Sequence, residues 1–282
     1  MQDYAYYNGV FAPYDSTTVP LSDRSIFFGD AVYDVIIGRC GVPYQAEMHI
    51  DRLLKNAEAI GLTDIPCKDE LLGTMYDLLK EAGADLFTLY LQLSANGKRR
   101  AHSRDERGTN VLITVTGASL SPMLETVSAI TLPDIRHGIC NVKTTNLLLS
   151  VLSVREANRK GADLAIFHKS GEVTECSYAN LCFYKNGVMI SHPYDSEVLD
   201  GITQVNMEKA CHTLGIATER RKFTLSELNT ADFIITTSTT KLFKLCRQID
   251  ECDLEMQNLS IAKSIFSLMY NDFIGETGCS VK

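Results

Sequence analysis

Apolar and polar residues alternate in some early stretches of the chain and follow a helical period in others. The Asn8-Gly9 dipeptide stands between aromatic and β-branched residues, which is the strongest short-range indication of a β-hairpin. Alternating or apolar runs predict further strands at 31–37, 86–94 and 110–116, and apolar residues three and four positions apart predict helices at 49–60 and 69–82. The first part of the chain is therefore predicted to be an α+β unit.

Strand patterns are more frequent in the second part of the chain. The segment 117–122 interrupts the periodic pattern with small residues and a proline, so we place a domain boundary there. The strands predicted beyond it lie at 129–132, 164–168 and 180–184, with a second Asn-Gly hairpin at 185–187, and the helices at 150–160, after 203, near 224 and at 259–273. These patterns predict a small N-terminal α/β domain (1–118) and a larger, strand-rich C-terminal domain (119–282).

The overall composition excludes several classes of function. Of the 282 residues 45% are hydrophobic, enough to fill the core of a globular protein, and the formal net charge of -8 disfavours a nucleic-acid partner. The N-terminus lacks the basic and apolar regions of a secretory signal, and no apolar run approaches the roughly 18 residues of a membrane span. We therefore expect a cytoplasmic protein that binds neither membrane nor nucleic acid.

The cysteines and histidines do not point to metal chemistry. The nine cysteines form no CxxC pair, and the six histidines form no HExxH or His-x-His cluster. We interpret the cysteines as reduced thiols and predict no metal site.

Two segments have the composition of an anion-binding turn. Gly201-Ile202-Thr203 leads into a predicted helix, and Thr236–Thr240 follows the apolar run Phe233-Ile234-Ile235. Backbone N–H groups at a turn or helix N-terminus are free to bind a phosphate. Each segment is weak evidence alone, because hydroxyl clusters at strand ends are usually plain turns.

A lysine and a glutamate have the surroundings that covalent cofactor chemistry requires. Lys143 lies between an extended stretch and an apolar run, where desolvation would make it a nucleophile towards carbonyls. Most lysines in such places, however, reach back to the surface. Glu175 is flanked by small or weakly polar residues and is a candidate for burial; its partner could be a protonated pyridine nitrogen or a basic side chain. The basic loop 98–102 could bind a carboxylate, although such loop tips are more often solvated.

Taken in order along the chain, these segments resemble the fold-type IV pyridoxal-phosphate enzymes, which include D-amino-acid aminotransferases, branched-chain aminotransferases and aminodeoxychorismate lyase. The resemblance implies a two-domain fold, with a small α/β domain followed by a β-rich pseudo-barrel domain with helices. It also implies pyridoxal 5'-phosphate as the cofactor. In this interpretation Lys143 carries the cofactor as a Schiff base, Glu175 pairs with the pyridinium nitrogen, and Arg52 in His49-Ile50-Asp51-Arg52-Leu53 binds the phosphate.

The resemblance assigns further cofactor contacts to the second part of the chain. Arg136 corresponds to an arginine near the phenolic oxygen, and Leu199 to an apolar residue behind the ring. The two hydroxyl-rich turns correspond to the phosphate site. The remaining cofactor-binding positions expected on this basis are Ser177, Ile202, Thr203, Ser238 and Thr239.

The substrate class depends on how the substrate carboxylate is bound. Arg100 and His102, together with Tyr33, resemble the carboxylate-binding residues of D-amino-acid aminotransferases. In those enzymes the arginine and histidine come from the neighbouring subunit, so the resemblance implies a homodimer. Cys176, Tyr178 and Ala179 depart from that pattern. Aminodeoxychorismate lyase activity, transamination of branched-chain or other L-amino acids, and cofactor binding with little turnover therefore remain alternatives.

Overall fold

A computed structural model describes residues 2–103 and 108–278. The chain divides into two compact units. Unit 1 comprises Met1–Ser119, Val142–Asn146 and Phe273–Lys282, and unit 2 comprises Leu120–Asn141 and Leu147–Asp272. The first segment of unit 1 ends one residue after the predicted boundary at 118, but the segment with Lys143 and the C-terminal segment belong to unit 1, where the prediction had assigned them to the second domain. Residues 104–107 of the predicted polar loop and Cys279 lie outside the described residues.

Unit 1 is built on a six-stranded antiparallel sheet with the strand order β2-β1-β6-β5-β3-β4. Its elements are β1 (Tyr4–Tyr7), β2 (Val10–Pro13), a 3-10 turn (Tyr14–Ser16), α1 (Ser25–Phe28), β3 (Ala31–Arg39), β4 (Val42–Pro43), α2 (Ala46–Ala59), α3 (Lys68–Ala82), β5 (Leu86–Ala95) and β6 (Thr109–Gly117). The predicted first hairpin is confirmed, with Tyr7 paired to Val10. Asn8 and Gly9 both have positive φ, as a two-residue hairpin turn requires.

Helices α2 and α3 cover one face of this sheet. Ile50, Leu53, Met75 and Leu78 are fully buried in a cluster that includes Phe87 of β5. Burial of each such side chain stabilises the fold by roughly 1.5–3 kcal/mol. Helix α2 begins three residues before the predicted start. Packing against the sheet fixes the position of α2, the helix that carries the predicted phosphate-binding arginine.

Unit 2 contains a nine-stranded mixed sheet with the path β12-β11-β10-β13-β14-β7-β8-β9, and β15 pairs with β14. Its strands are β7 (Thr126–Pro133), β8 (Leu164–Lys169), β9 (Glu172–Cys176), β10 (Asn180–Lys185), β11 (Val188–Ser191), β12 (Ala217–Arg220), β13 (Phe233–Ser238), β14 (Leu242–Ile249) and β15 (Cys252–Asp253). Its helices are α4 (Leu148–Arg159), α5 (Ile202–Thr213), α6 (Leu225–Leu228) and α7 (Leu259–Glu276), the last of which ends in unit 1.

The sheet of unit 2 curls back on itself. The chain leaving β12 reaches the opposite edge strand, where Val173 N donates to Phe223 O at 2.9 Å and Glu172 forms a bridge with Thr224. Thr224 also forms the predicted capping box with Glu227 at the start of α6. This closure agrees with the β-rich pseudo-barrel that the family resemblance implied.

Two predictions require correction. Glu175 was expected to follow a strand but lies inside β9, which is short and almost wholly buried and so lacks the alternation that identifies half-buried strands. Cys40 was interpreted as a reduced thiol, yet it is disulfide-bonded; a disulfide joins residues that the fold brings together, so sequence spacing cannot exclude one. Within the described part of the chain, no helix combines the length and apolarity needed to cross a membrane.

Candidate functional site

Lys143 lies in a short extended segment that pairs with the start of β3. Tyr33 N donates to Lys143 O at 2.9 Å, and Thr145 N donates to Ala31 O at 3.1 Å. The lysine side chain is half-buried, and its Nζ lies 4.4 Å from the centroid of the Tyr33 ring. Two predicted site residues are thus in contact, because pairing with β3 aligns their backbones.

Arg52 forms a two-point ion pair with a buried carboxylate. Its Nε and Nη2 each donate to Asp34 at 2.8 Å. His49 Nδ1 lies 2.8 Å from Asp34 Oδ1. Although burial opposes ionisation of Asp34, Arg52 and His49 together lower the pKa of this carboxyl well below its ordinary value. The carboxylate therefore stays charged and holds the guanidinium in a fixed orientation.

Asp34 and His49 were not among the predicted site residues. Asp34 lies in β3, a strand otherwise rich in apolar residues, and is fully buried. A charged residue at a buried position of an apolar strand is rare without a partner. That pattern was the indication available in the sequence, and it did not identify Arg52 as the partner.

The predicted carboxylate-binding residues pack around one aromatic ring. The guanidinium carbon of Arg100 lies 5.3 Å from the centroid of the Phe28 ring, and the ring centroids of His102 and Phe28 are 5.5 Å apart. Phe28 ends the short helix α1, just before the strand that carries Tyr33. The structure thus brings Arg100 and His102 together on one support.

In unit 2, Glu175 is buried and both of its carboxylate oxygens are hydrogen-bonded. Oε1 accepts from Arg136 Nη1. Oε2 accepts from Asn180 Nδ2 at 3.0 Å and from the backbone N–H of Leu199 at 3.1 Å. The carboxylate is therefore held by three segments besides its own strand: the one with Arg136, strand β10 with Asn180, and the one with Leu199.

Arg136 is itself held by several groups. Its Nε and Nη2 donate to the two oxygens of Asp134 at 2.9 and 2.7 Å, and its guanidinium lies 4.7 Å from the Phe167 ring centroid. Burial opposes its charge, but the carboxylates of Asp134 and Glu175 raise the pKa of Arg136 further above its ordinary value. The predicted Arg136 and Glu175 thus form one buried ion-pair cluster, in which Asp134 is a member that the sequence did not indicate.

Asn180 joins several parts of this cluster and was not predicted as a site residue. Besides Glu175 it donates to Leu199 O at 2.8 Å. A Cβ atom added to Gly201 would collide with its side-chain oxygen. It also pairs with Thr237 across β10 and β13. The side-chain amide of Asn180 thus contacts the buried glutamate and the start of one predicted phosphate turn, and its backbone lies beside the other.

The two turns predicted to bind phosphate have features of an anion site. The N-cap of α5 is Gly201, which has no side chain to cap the helix, and Ile202 and Thr203 begin its first turn. Thr237 Oγ1 is buried with no hydrogen-bond partner among the described residues. Ser238 ends β13 and Thr239 lies in the following turn. Free amides at a helix N-terminus and an unpaired hydroxyl fit an anion such as a phosphate.

Ser177 has a structural partner instead. Its backbone N–H donates to Ala165 O at 2.9 Å, and its Oγ lies 3.3 Å from the backbone nitrogen of Ala165, from which it accepts. These bonds tie the turn after β9 to β8. Its predicted cofactor contact stays a prediction.

One group of described side chains has the spacing of metal ligands. Ligand atoms of Glu172, His192 and Glu197 lie within 4.8 Å of one another. Lys222 Nζ, however, donates to Glu172 at 2.6 Å and to Glu197 at 2.9 Å. Hydrogen bonds from Lys169 and Lys222 lower the pKa of Glu197 to about 2. Ammonium groups thus already balance the carboxylates of this cluster.

The family of the chain is shown by its sequence. The family model described as "Amino-transferase class IV" matches residues 31–252, so the chain belongs to the class IV aminotransferases. Enzymes of this family are aminotransferases that use pyridoxal 5'-phosphate, and that is the cofactor of this chain.

Individual proteins agree with this assignment. The chain is 32% identical over 232 residues to a D-alanine aminotransferase of Listeria monocytogenes, covering 80% of each chain. It is 29% identical over 284 residues to the D-alanine aminotransferase of Bacillus licheniformis, covering 98% of this chain and 99% of the relative. The branched-chain amino acid aminotransferase of Escherichia coli has the same fold, with a TM-score of 0.87, 21% identity, and coverage of 100% of this chain and 98% of that chain.

The residues present fit this cofactor. Pyridoxal phosphate needs an amine for its aldehyde, an acid for its ring nitrogen and cationic or N–H groups for its phosphate. Lys143 offers the amine and Glu175 the carboxylate. In unit 1, Arg52 has a guanidinium of the kind that binds phosphate. In unit 2, the first turn of α5 has backbone N–H groups of that kind, and the buried hydroxyl of Thr237, without a partner among the described residues, is a donor that an anionic oxygen would satisfy.

Proposed function

We propose that this aminotransferase moves the amino group of a D-amino acid, such as D-alanine or D-glutamate, to a 2-oxo acid such as 2-oxoglutarate. The observation that carries the proposal is the placement of Arg100 and His102 together on the Phe28 ring. A guanidinium beside an imidazole binds a carboxylate with charge and directed hydrogen bonds. The D-alanine aminotransferases that are about 30% identical to this chain support the same substrate class.

Lys143 is the residue to which we assign the cofactor and the proton transfer. Its Nζ would hold the cofactor through its aldehyde and, once released from that bond, would accept the α-proton of the substrate. Pyridoxal phosphate, when bound, supplies an electron sink for the negative charge left at the substrate α-carbon. Tyr33, whose ring centroid lies 4.4 Å from Nζ, would limit the positions that the amine can occupy.

Glu175 and Arg52 would fix the cofactor at opposite ends. The Glu175 carboxylate would accept a hydrogen bond from the protonated ring nitrogen and so preserve the positive charge of the ring. Arg52, oriented by Asp34, would bind the phosphate together with the amides of Ile202 and Thr203. Each role uses a side chain or turn whose orientation is already set by neighbouring groups.

Stereochemistry follows from the position of the substrate carboxylate. Lys143 reaches the α-hydrogen from one face of the ring, so the carboxylate site decides which enantiomer presents its hydrogen to that face. We assign this decision to Arg100, His102 and Tyr33. In the homodimer that we propose, Arg100 and His102 would act in the active site of the neighbouring subunit.

A donor comparison tests the substrate assignment. The purified holoenzyme is assayed with D-alanine or L-leucine as donor and 2-oxoglutarate as acceptor, while the cofactor absorbance is recorded. Turnover of D-alanine alone supports the proposal, and turnover of L-leucine alone rejects it. Release of pyruvate from aminodeoxychorismate without an oxo-acid acceptor would indicate the lyase, and a cofactor band with no turnover would indicate a binding protein.

Replacement of Lys143 by alanine tests its role as the attachment site. We expect the imine absorbance band to disappear and transamination to fall by about 10³-fold or more, because both the attachment and the proton-transfer group are lost. Lys160→Ala, at the exposed C-terminus of α4, is the control and should leave the band unchanged. A Lys143→Ala protein that retains the band would transfer the role to another lysine.

A further inference from the structure

The loop with Arg100 and His102 is held by one buried arginine that has no role assigned above. The side chain of Arg24 is 8% exposed. Its Nη1 donates to Ala101 O at 2.7 Å, and its Nη2 donates to His102 O at 3.4 Å. One guanidinium thus bonds the two consecutive backbone carbonyls that follow Arg100.

A second set of contacts fixes the guanidinium itself. Arg24 Nε donates to Asp30 Oδ2 at 2.8 Å. The backbone N–H of Arg24 donates to Ala95 O at 3.0 Å, at the point where β5 enters the loop. Arg24 therefore contacts both the start of the loop and the carbonyls around its predicted carboxylate-binding residues.

Phe28 completes the support from the other side. The guanidinium carbon of Arg24 lies 4.5 Å from the ring centroid, compared with 5.3 Å for Arg100. His102 packs on the same ring. One aromatic ring is thus in contact with the buried arginine and with both predicted substrate residues, and cation–π contacts of this kind favour a fixed arrangement.

We propose that Arg24 is a positioning residue that sets the conformation of the 98–103 loop and, through it, the affinity for the carboxylate of the amino-acid and oxo-acid substrates. The proposal rests on the substrate role proposed for Arg100 and His102. A guanidinium can bond Asp30 and two carbonyls at once because its donors form a rigid planar fork. A lysine ammonium keeps the charge but cannot reproduce this geometry, so Arg24→Lys separates positioning from charge.

The expected effect appears in binding rather than in chemistry. Arg24→Lys should raise KM for both D-alanine and 2-oxoglutarate by about tenfold, the scale expected from losing hydrogen bonds to a charged group, with kcat and the cofactor absorbance changed little. In an Arg100→Ala background, the same substitution should add almost nothing to KM, because both changes act on one carboxylate contact. Arg159→Lys, on the exposed face of α4, is the matched control.

Trypsin cleavage after Arg99 and Arg100 reports the loop conformation without using activity. Faster cleavage of Arg24→Lys than of the parent holoenzyme, at an unchanged thermal midpoint, is the expected result. If Arg24→Lys does not fold, Phe28→Leu removes the shared ring while keeping an apolar side chain, and the same measurements apply.

The outcomes separate this proposal from the proposed function. Unchanged KM in Arg24→Lys, while Arg100→Ala raises KM, overturns the positioning role. A variant in which kcat falls, KM rises and the cofactor band is lost together also overturns it, since that pattern indicates general disruption. If Arg100→Ala itself leaves KM unchanged, the proposed substrate role of the loop is wrong. The trypsin cleavage rate of Arg24→Lys then tests the conformational role alone. Faster cleavage supports the role of Arg24 in setting the loop conformation, and an unchanged rate rejects it.

Discussion

The buried imidazole of His49 affects both the stability of the fold and the orientation of Asp34. It contacts Asp34 at 2.8 Å and is 1% exposed. Burial lowers the pKa of His49 below its ordinary value, and the charges of Arg52 and Lys143 act in the same direction, whereas Asp34 opposes them. The folded protein therefore holds His49 as the neutral form, which orients the carboxylate without adding a charge beside Arg52.

This pKa shift predicts a pH dependence of stability. Below the ordinary histidine pKa of about 6.5 the unfolded chain binds a proton that folded His49 does not, so the free energy of unfolding falls as the pH decreases from about 7 to about 5. His49→Gln should be less stable at neutral pH but show a shallower pH dependence. Denaturant unfolding of the holoenzyme at several pH values measures both quantities.

The control for this experiment is His212→Gln, because His212 is exposed. That variant should keep the pH dependence of the parent protein. Equal slopes in the parent and the His49→Gln variant over the same interval would show that His49 does not account for the effect.

At the scale of elements, the beginning of α5 and the strand β10 determine each other's position. The N-cap Gly201 packs against the side chain of Asn180 with no room for a Cβ atom. Asn180 in turn donates to Glu175 at 3.0 Å. The helix N-terminus proposed for the phosphate and the carboxylate proposed for the ring nitrogen are therefore coupled by one close contact.

Gly201→Ala should disturb both ends of this arrangement. The added methyl group must displace Asn180 or shift the start of α5, so we expect about a tenfold loss of cofactor affinity and a destabilisation of roughly 1–3 kcal/mol. Cofactor titration by absorbance and a thermal melt measure the two effects. Gly138→Ala is the matched control, since a Cβ atom there meets no neighbour within 4 Å; if both variants behave alike, close packing at Gly201 is not the cause.

For the whole molecule, helix α4 presents an apolar surface that unit 2 does not cover. Leu148 is 67% exposed, and Val151 and Leu152 on the same helix are also exposed. Exposed apolar side chains grouped on one helix indicate a protein contact more often than isolated ones do. We expect this surface to be buried in the homodimer proposed above.

Leu148→Glu should therefore weaken self-association. A charge at the centre of an apolar interface is costly to desolvate, so the sedimentation coefficient should decrease toward that of a monomer. Transamination should fall with it if Arg100 and His102 act across subunits. Leu214→Glu, at an exposed leucine after α5, should change neither property, and a Leu148→Glu protein that still sediments as the parent does would exclude this surface from the interface.

Sequence reasoning located most of the helices and strands, and some members of each buried cluster of charged residues. The two Asn-Gly hairpins, helices α2 to α5 and the capping box of α6 were predictable because their determinants lie within a few residues of one another. The short buried strand β9 was missed, since it is too brief to show a period. Glu175 was singled out by its surroundings, and Arg52 and Arg136 by the family resemblance. Their partners Asp34, Asn180 and Asp134 were not found.

The sequence by itself determined the local structure, the family and the types of chemical group available to the cofactor. Only the tertiary structure decided which of these groups meet: Asp34 with Arg52, Asn180 with Glu175, and Arg24 with the loop of Arg100. The physical reason is that hydrogen bonds and ion pairs between distant segments depend on angles and distances fixed by strand pairing and core packing. The spacing of residues along the chain gives neither these angles nor these distances.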